Sequence, residues 1–279
     1  MTGPLFAAQH GWIRVTGAEP LLSALQNLAP AWPTRQRQGR SRVVASIAAL
    51  SEPEGWRFTC DAYAVPEFRF SDSLAAANGL LGTLIGCMVA LEPRIAALHA
   101  ASVQVPGGLL LLLGENGAGK STLSVALAMR GYRFVGDDRL LVQFTRRPRG
   151  IGLQLTAKLR LPLPGGAGPG FGEFVAARAV LQAEGMSLIR FRPEEILPRG
   201  QSVRLHAAIL LERDGMSQPE LRPLSRTDLL DALLEGCFAP QLTAVERLQA
   251  LLPLADLPGY ALSYADSTAA AARLGEQFA

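Results

Sequence analysis

The run Gly114-Glu115-Asn116-Gly117-Ala118-Gly119-Lys120-Ser121-Thr122 carries the clearest chemistry in this chain. It fits the P-loop (Walker A) spacing, a Gly, four residues, then Gly-Lys-Ser/Thr. Polyphosphate is densely anionic. Successive backbone N–H groups in a Gly-rich turn make an anion-binding concavity, and the helix that follows presents its positive dipole end. Gly117 and Gly119 let the backbone come close to phosphate and take positive φ. Lys120 can reach the β- and γ-phosphates, and Ser121 can offer its hydroxyl to Mg²⁺, which keeps water and phosphate oxygens as its other ligands. Residues Gly114 to Thr122 as a whole are expected to hold ATP with Mg²⁺.

The second feature is the Asp137-Asp138 pair, 17 and 18 residues after Lys120. A kinase needs one acid near the metal and one within hydrogen-bond reach of the acceptor hydroxyl. Adjacent acids at a strand end can face different ways and serve both needs. A solvated acidic turn is the plain alternative. The wording Gly-Glu-Asn-Gly-Ala-Gly-Lys-Ser-Thr also looks like the loop of transporter-type ABC ATPases. That family needs a downstream Leu-Ser-Gly-Gly-Gln and a long apolar strand ending in Asp-Glu, and neither is present.

Around these residues a wider pattern forms. His99-Ala100-Ala101, the Pro106-Gly107-Gly108 turn, the P-loop, Arg130-Gly131-Tyr132 and Gly136-Asp137-Asp138-Arg139 together resemble the catalytic core of HPr kinase/phosphorylase. The likeness is greater to the smaller HPr-kinase-like serine kinases that accompany peptide-modifying gene clusters, including those of lasso peptides. It covers about His99 to Arg139. The family's histidine, P-loop lysine and second aspartate fall on His99, Lys120 and Asp138. The resemblance implies a general base at Asp138 and a Mg²⁺ ligand at Ser121, and Asp137 is expected to serve the metal. It implies a fold similar to phosphoenolpyruvate carboxykinase, a mixed sheet with helices. The family's metal-binding glutamate segment has no match, and Arg199 or Arg204 stands roughly where the family places an arginine that closes over phosphate.

The function expected is therefore phosphoryl transfer from ATP to a serine hydroxyl on a peptide or small protein. The alternative from another class is a nucleotide-binding regulatory or assembly module with little turnover. Net charge is only +3, which gives no global nucleic-acid signature. Three cysteines, Cys60, Cys87 and Cys237, stand in no C-x-x-C pattern, and Met1 to Gln9 shows no signal-peptide pattern, so a cytoplasmic setting with reduced thiols is expected. Self-association as a homo-oligomer stays open.

The elements that must position these residues can be read from pattern. Leu109 to Leu113 reads as a buried strand entering the loop, and Ser121 to Met129 as the helix leaving it. Ala101 to Val105 pairs with the strand before the loop across a tight turn. Phe134-Val135 leads into the acidic pair, and Leu140 to Phe144, Leu153 to Leu161, Leu205 to Leu211 and Tyr260 to Tyr264 read as further strands. Leu163 to Gly172 is Gly- and Pro-rich and reads as a loop. Leu229 to Leu234, Ala244 to Leu252 and the segment from Ser267 read as helices. Residues 1–95 are expected to form a smaller α+β lobe that recognises the acceptor, and 96–279 the catalytic α/β domain. In the lobe, Arg35, Arg37, Arg40 and Arg42 crowd one loop, and the uncharged stretch Leu74 to Leu91 is long enough for a membrane span. Its Asn, Gly and Thr content and the Ser71-Asp72-Ser73 cap favour a buried helix, so no membrane span is expected.

Overall fold

The computed structural model describes residues 3–35, 42–164, 167–168, 170–213 and 218–279. They form a mixed α/β protein that divides into two compact units, Met1–Pro93 with Ala239–Thr243, and Arg94–Phe238 with Ala244–Ala279.

The first unit holds a five-stranded sheet in the order Thr34–Arg35, Leu5–Ala8, Gly11–Thr16, Val43–Glu52, Gly55–Cys60. Its pairings are antiparallel except between Gly11–Thr16 and Val43–Glu52, which run parallel. Along Val43–Glu52, Ala45, Ile47 and Ala49 are buried at every second position, as a sheet with one covered face requires. Helix Ser73–Ala90 starts where the Asp72 carboxylate accepts the Ala75 N–H at 2.5 Å. By length and composition it could cross a membrane, yet 61% of it is buried inside the protein. It packs on helix Leu22–Leu28 and strand Gly55–Cys60. Such a helix is apolar all round because both of its faces are covered.

The second unit is built on one large sheet. Strand Gly108–Leu113 is fully buried at all six positions. It lies between antiparallel Ala101–Val105 and parallel Ser202–Glu212, which also takes Gly259–Ser263 alongside in parallel. The lower end of Ser202–Glu212 turns to pair with Arg149–Ile151, which leads through Leu140–Gln143 to Ile95–Leu98 and Cys237–Phe238. Among the described residues the sheet counts ten strands, parallel and antiparallel mixed. Leu110 and Leu112 join the core formed with Leu123, Leu127, Ala270 and Leu274 of helices Lys120–Met129 and Ser267–Phe278. Helix Arg226–Gly236 also packs on this strand and on Ser202–Glu212. Helices on the sheet explain why the run Leu109 to Leu113 does not alternate.

A separate three-stranded sheet, Ala157–Arg160, Met186–Ile189 and Ala179–Ala183, stands beside the main one. Of the stretch Leu153 to Leu161 that reads as strand in the sequence, only Ala157–Arg160 pairs. Gln154 has φ +56, a left-handed backbone that no strand can accommodate. The Gly-rich stretch gives way to a short helix at Phe171–Ala176, while residues 165, 166 and 169 lie outside the described ones.

Candidate functional site

Strand Gly108–Leu113 delivers Gly114 to the edge of the sheet, and the chain turns at once into helix Lys120–Met129. The turn needs three left-handed glycines, Gly114 (φ +138), Gly117 (φ +93) and Gly119 (φ +94). Gly117 has open space around it, which leaves the loop rim accessible. A Cβ on Gly119 would meet the Tyr264 hydroxyl at 2.3 Å. That hydroxyl donates to the Ala118 carbonyl at 2.7 Å and braces the turn from below. Burial pushes the Tyr264 phenol up to about 12, so it remains a donor.

Lys120 is buried, and its ammonium donates to the carbonyls of Gly114 (2.6 Å) and Glu115 (3.0 Å). Burial lowers its pKa, and the Asp138 charge works against that. The lysine is thus folded back over the loop that it closes. Lys120, Ser121 and Thr122 occupy the first helical turn, where backbone N–H groups have no partner within the helix.

The acidic pair follows strand Arg133–Gly136, which pairs with Ala101–Val105. The two carboxylates meet different surroundings. Asp137 is 4% exposed, and its Oδ2 accepts the backbone N–H of Lys158 at 2.7 Å. Burial pushes its carboxyl above the ordinary range, against the nearby Lys158 charge. Asp138 is bound by three cations or donors. His99 Nδ1 lies 3.1 Å from Oδ1, while Lys158 Nζ (2.7 Å) and Arg139 Nη1 (3.3 Å) lie near Oδ2. Burial pushes this carboxyl up too, but the His99 hydrogen bond and the Lys158 and Arg139 charges outweigh it and hold the group far below the carboxylate range. His99 is anchored by its own N–H to the Gly236 carbonyl at 2.8 Å.

Two cavities open on either side of the loop. The smaller, about 320 Å³, is lined by Lys120, Ser121, Thr122, Asp137, Asp138, His99, Lys158, Arg160 and Arg213. The larger, about 790 Å³, is lined by Glu115, Glu212, Asp228, Asp231 and Glu235, with His99, Asn116, Gly117 and Arg213 shared between the two. A polyphosphate chain is repelled by the acidic cavity and attracted to the smaller one, where four cationic side chains converge. Of the candidate nucleotide and catalytic residues, His99, Asn116, Gly117, Gly119, Lys120, Ser121, Thr122, Asp137 and Asp138 line the smaller cavity, while Gly114, Glu115 and Ala118 line the larger. Arg199 and Arg204 line neither. Arg204 sits just before Leu205, which pairs with Leu109 at the start of the strand, so it lies at the end of the sheet away from the loop. Arg199 is tied by its backbone N–H to the Gln154 side chain. Arg213 lines the smaller cavity instead, because the same parallel register sets Leu210 beside Leu113.

The donor set suits Mg²⁺. That ion is bound through one or two carboxylates and phosphate oxygens and keeps several waters. The Ser121 hydroxyl and the Asp137 carboxylate line one cavity, and Asp137 is a buried acid that burial makes costly to ionise without a counter-charge. Lys158, Arg213 and Tyr264 were not marked by the sequence pattern. Lys158 had a readable signal, since Ala157 and Leu159 are inward on their strand and Lys158 and Arg160 are not.

Two curated relatives match parts of the chain. The chain is 29% identical over 92 residues to an HPr kinase/phosphorylase of Lactobacillus acidophilus, covering 33% of this chain and 28% of that protein. It is 46% identical over 50 residues to one from Lachnoclostridium phytofermentans, covering 18% of this chain and 16% of the relative. Over these stretches the chain is similar to HPr kinase/phosphorylases. It spans less than a third of the length of either relative. No family model matches. The solved Hpr(Ser) kinase/phosphatase from Coxiella burnetii aligns with 65% of this chain and 97% of its own, at 15% identity and a TM-score of 0.33.

Proposed function

We propose that this HPr kinase-like chain binds Mg-ATP and transfers the γ-phosphoryl group to a serine hydroxyl of a peptide or small protein. The observation that carries this reading is Asp138, an ionised carboxylate held by His99 in the same cavity as Lys120 and Ser121. A carboxylate oriented by a histidine beside a phosphate loop is what a base for an acceptor hydroxyl requires.

The geometry supports these roles. Lys120 exchanges its loop carbonyls for phosphate oxygens, and the loop and first-turn N–H groups take the remaining charge. Mg²⁺, held through Ser121 and Asp137, would neutralise charge on the phosphate oxygens when bound. Asp138 accepts a hydrogen bond from the acceptor hydroxyl and orients it. Its depressed pKa makes it a weak proton acceptor in the ground state. In a loose phosphoryl-transfer transition state, however, orientation precedes proton transfer, and the proton moves late. His99 fixes one carboxylate oxygen and leaves the base in one rotamer.

The second reading, a nucleotide-binding regulatory or assembly module, draws support from the same residue. Asp138 is engaged with Lys158 and Arg139 as well as His99, which is the pattern of a structural ion-pair network. The two readings part in one assay. Serine-containing peptides are incubated with the chain and Mg-ATP, and mass spectrometry looks for phosphoserine with matching ADP release. The kinase reading predicts both. Tight ATP binding with no phosphate on any peptide, protein or small hydroxyl acceptor supports the regulatory module. The cytoplasmic setting and acceptor recognition by the N-terminal lobe belong to the same proposal.

A further inference from the structure

Lys158 is the most constrained cation beside the acidic pair. Its backbone N–H holds Asp137 Oδ2 at 2.7 Å, and its ammonium holds Asp138 Oδ2 at 2.7 Å. Its side chain is only 14% exposed. The three-stranded sheet fixes its position, since Lys158 pairs with Leu188 and its neighbours Ala157 and Leu159 are buried inward. The ammonium therefore projects from a rigid strand into the 320 Å³ cavity that Lys120 and Ser121 also line. A point charge on a flexible stem with three N–H donors can share itself between a carboxylate and a phosphate oxygen. Two carboxylates in one small cavity would otherwise repel an incoming polyphosphate.

We infer that Lys158 is the site's built-in counter-ion: with nucleotide bound, its ammonium bridges Asp138 and the terminal phosphoryl group of ATP. It supplies there a fixed positive charge of the kind that a second divalent ion provides in two-metal sites. It is a positioning residue, holding the acceptor base and the transferable group in one register. The inference rests on the kinase reading above. It differs from that reading in a consequence for binding alone: part of the preference for ATP over ADP comes from the protein and survives removal of metal.

The test is calorimetry of ATP and of ADP in excess EDTA, on the wild-type chain, Lys158→Met and Lys158→Arg, with circular dichroism to check the fold. Wild type should bind ATP more tightly than ADP without metal. Lys158→Met should lose ATP affinity roughly 10- to 100-fold, the worth of a charge-assisted contact, and keep its ADP affinity. Lys158→Arg should recover most of the loss. A double-mutant cycle separates a direct effect from one relayed through Asp138. In the Asp138→Asn background, Lys158→Met should still weaken ATP. Equal losses for ATP and ADP, or no loss, overturn the inference while the nucleotide site stands. If Lys158→Met does not fold, equal wild-type affinity for ATP and ADP in EDTA overturns it alone. A wild-type chain that binds neither nucleotide even with Mg²⁺ overturns the kinase reading beneath it.

Discussion

At Asp137, burial pushes the carboxyl above its ordinary value of 3.8. At Asp138, one residue on, burial pushes the same way but is outweighed by the His99 hydrogen bond and the Lys158 and Arg139 charges. The signs of the two stability contributions therefore oppose. The Asp138 contribution is complete above the unfolded-state pKa of about 3.9 and is lost as pH falls through its lower folded value. The Asp137 contribution is complete below that pKa and is lost as pH rises through its raised folded value. At neutral pH without metal, Asp137→Asn should raise the melting temperature, and Asp138→Asn should lower it by leaving Lys158 and Arg139 without their carboxylate, a loss of about 1.5–3 kcal/mol. Thermal melts at pH 7 check both, and opposite shifts are the expected result. Lys120→Ala removes one charge-assisted phosphate contact, so Mg-ATP affinity should fall roughly tenfold or more by calorimetry. At this scale the sequence showed which residue types were present and could not show their partners. Nothing in Asp137-Asp138 as a dipeptide says that Lys158, far along the chain, will face both.

Among the elements, the glycine loop is the one whose geometry is over-determined. Gly119 needs a left-handed backbone and has no room for a Cβ against Tyr264. Gly119→Ala should therefore distort the loop and abolish nucleotide binding in calorimetry. Tyr264→Phe keeps the ring and loses only the bond to Ala118. It should cost about 0.5–1.5 kcal/mol in chemical denaturation and weaken Mg-ATP affinity without abolishing it. Strand, loop and helix here were legible because each has a strong local signature: an apolar run, spaced glycines, a helix-period pattern. The short strands Ile95–Leu98, Arg149–Ile151, Ala179–Ala183 and Glu220–Pro223 were not legible. Some are only three or four residues long, several are edge or mixed in polarity, and they exist because a long-range neighbour pairs with them. The reach of Ser202–Glu212 past Leu211 was missed for the same reason, and with it the placement of Arg213 in the site rather than Arg199 or Arg204.

Over the whole molecule, the sequence was read as a lobe over residues 1–95 and a catalytic domain over 96–279, while the contacts of the structure divide it into Met1–Pro93 with Ala239–Thr243, and Arg94–Phe238 with Ala244–Ala279. The return of Ala239–Thr243 to the first unit was not visible, since five residues carry no pattern of their own. Acceptor recognition by the N-terminal lobe was expected of the arginine-rich loop. Arg37 and Arg40 lie outside the described residues, while the Arg35 guanidinium stacks over the Trp12 ring at 4.6 Å. Changing Arg35, Arg37, Arg40 and Arg42 together to Ala should leave ATP affinity intact and raise the KM for an acidic acceptor peptide. Unchanged peptide phosphorylation would remove the loop from recognition. The account as a whole depends on whether Asp138 serves transfer of a phosphoryl group or only the architecture around it. Single-turnover transfer by Asp138→Asn, followed by mass spectrometry of the acceptor and set beside its Mg-ATP affinity, tests this most directly. Asn keeps the shape but cannot take a proton, so the account predicts near-normal ATP binding and a transfer rate lower by about 10²–10⁴-fold. Transfer at the wild-type rate in a folded Asp138→Asn chain would contradict it.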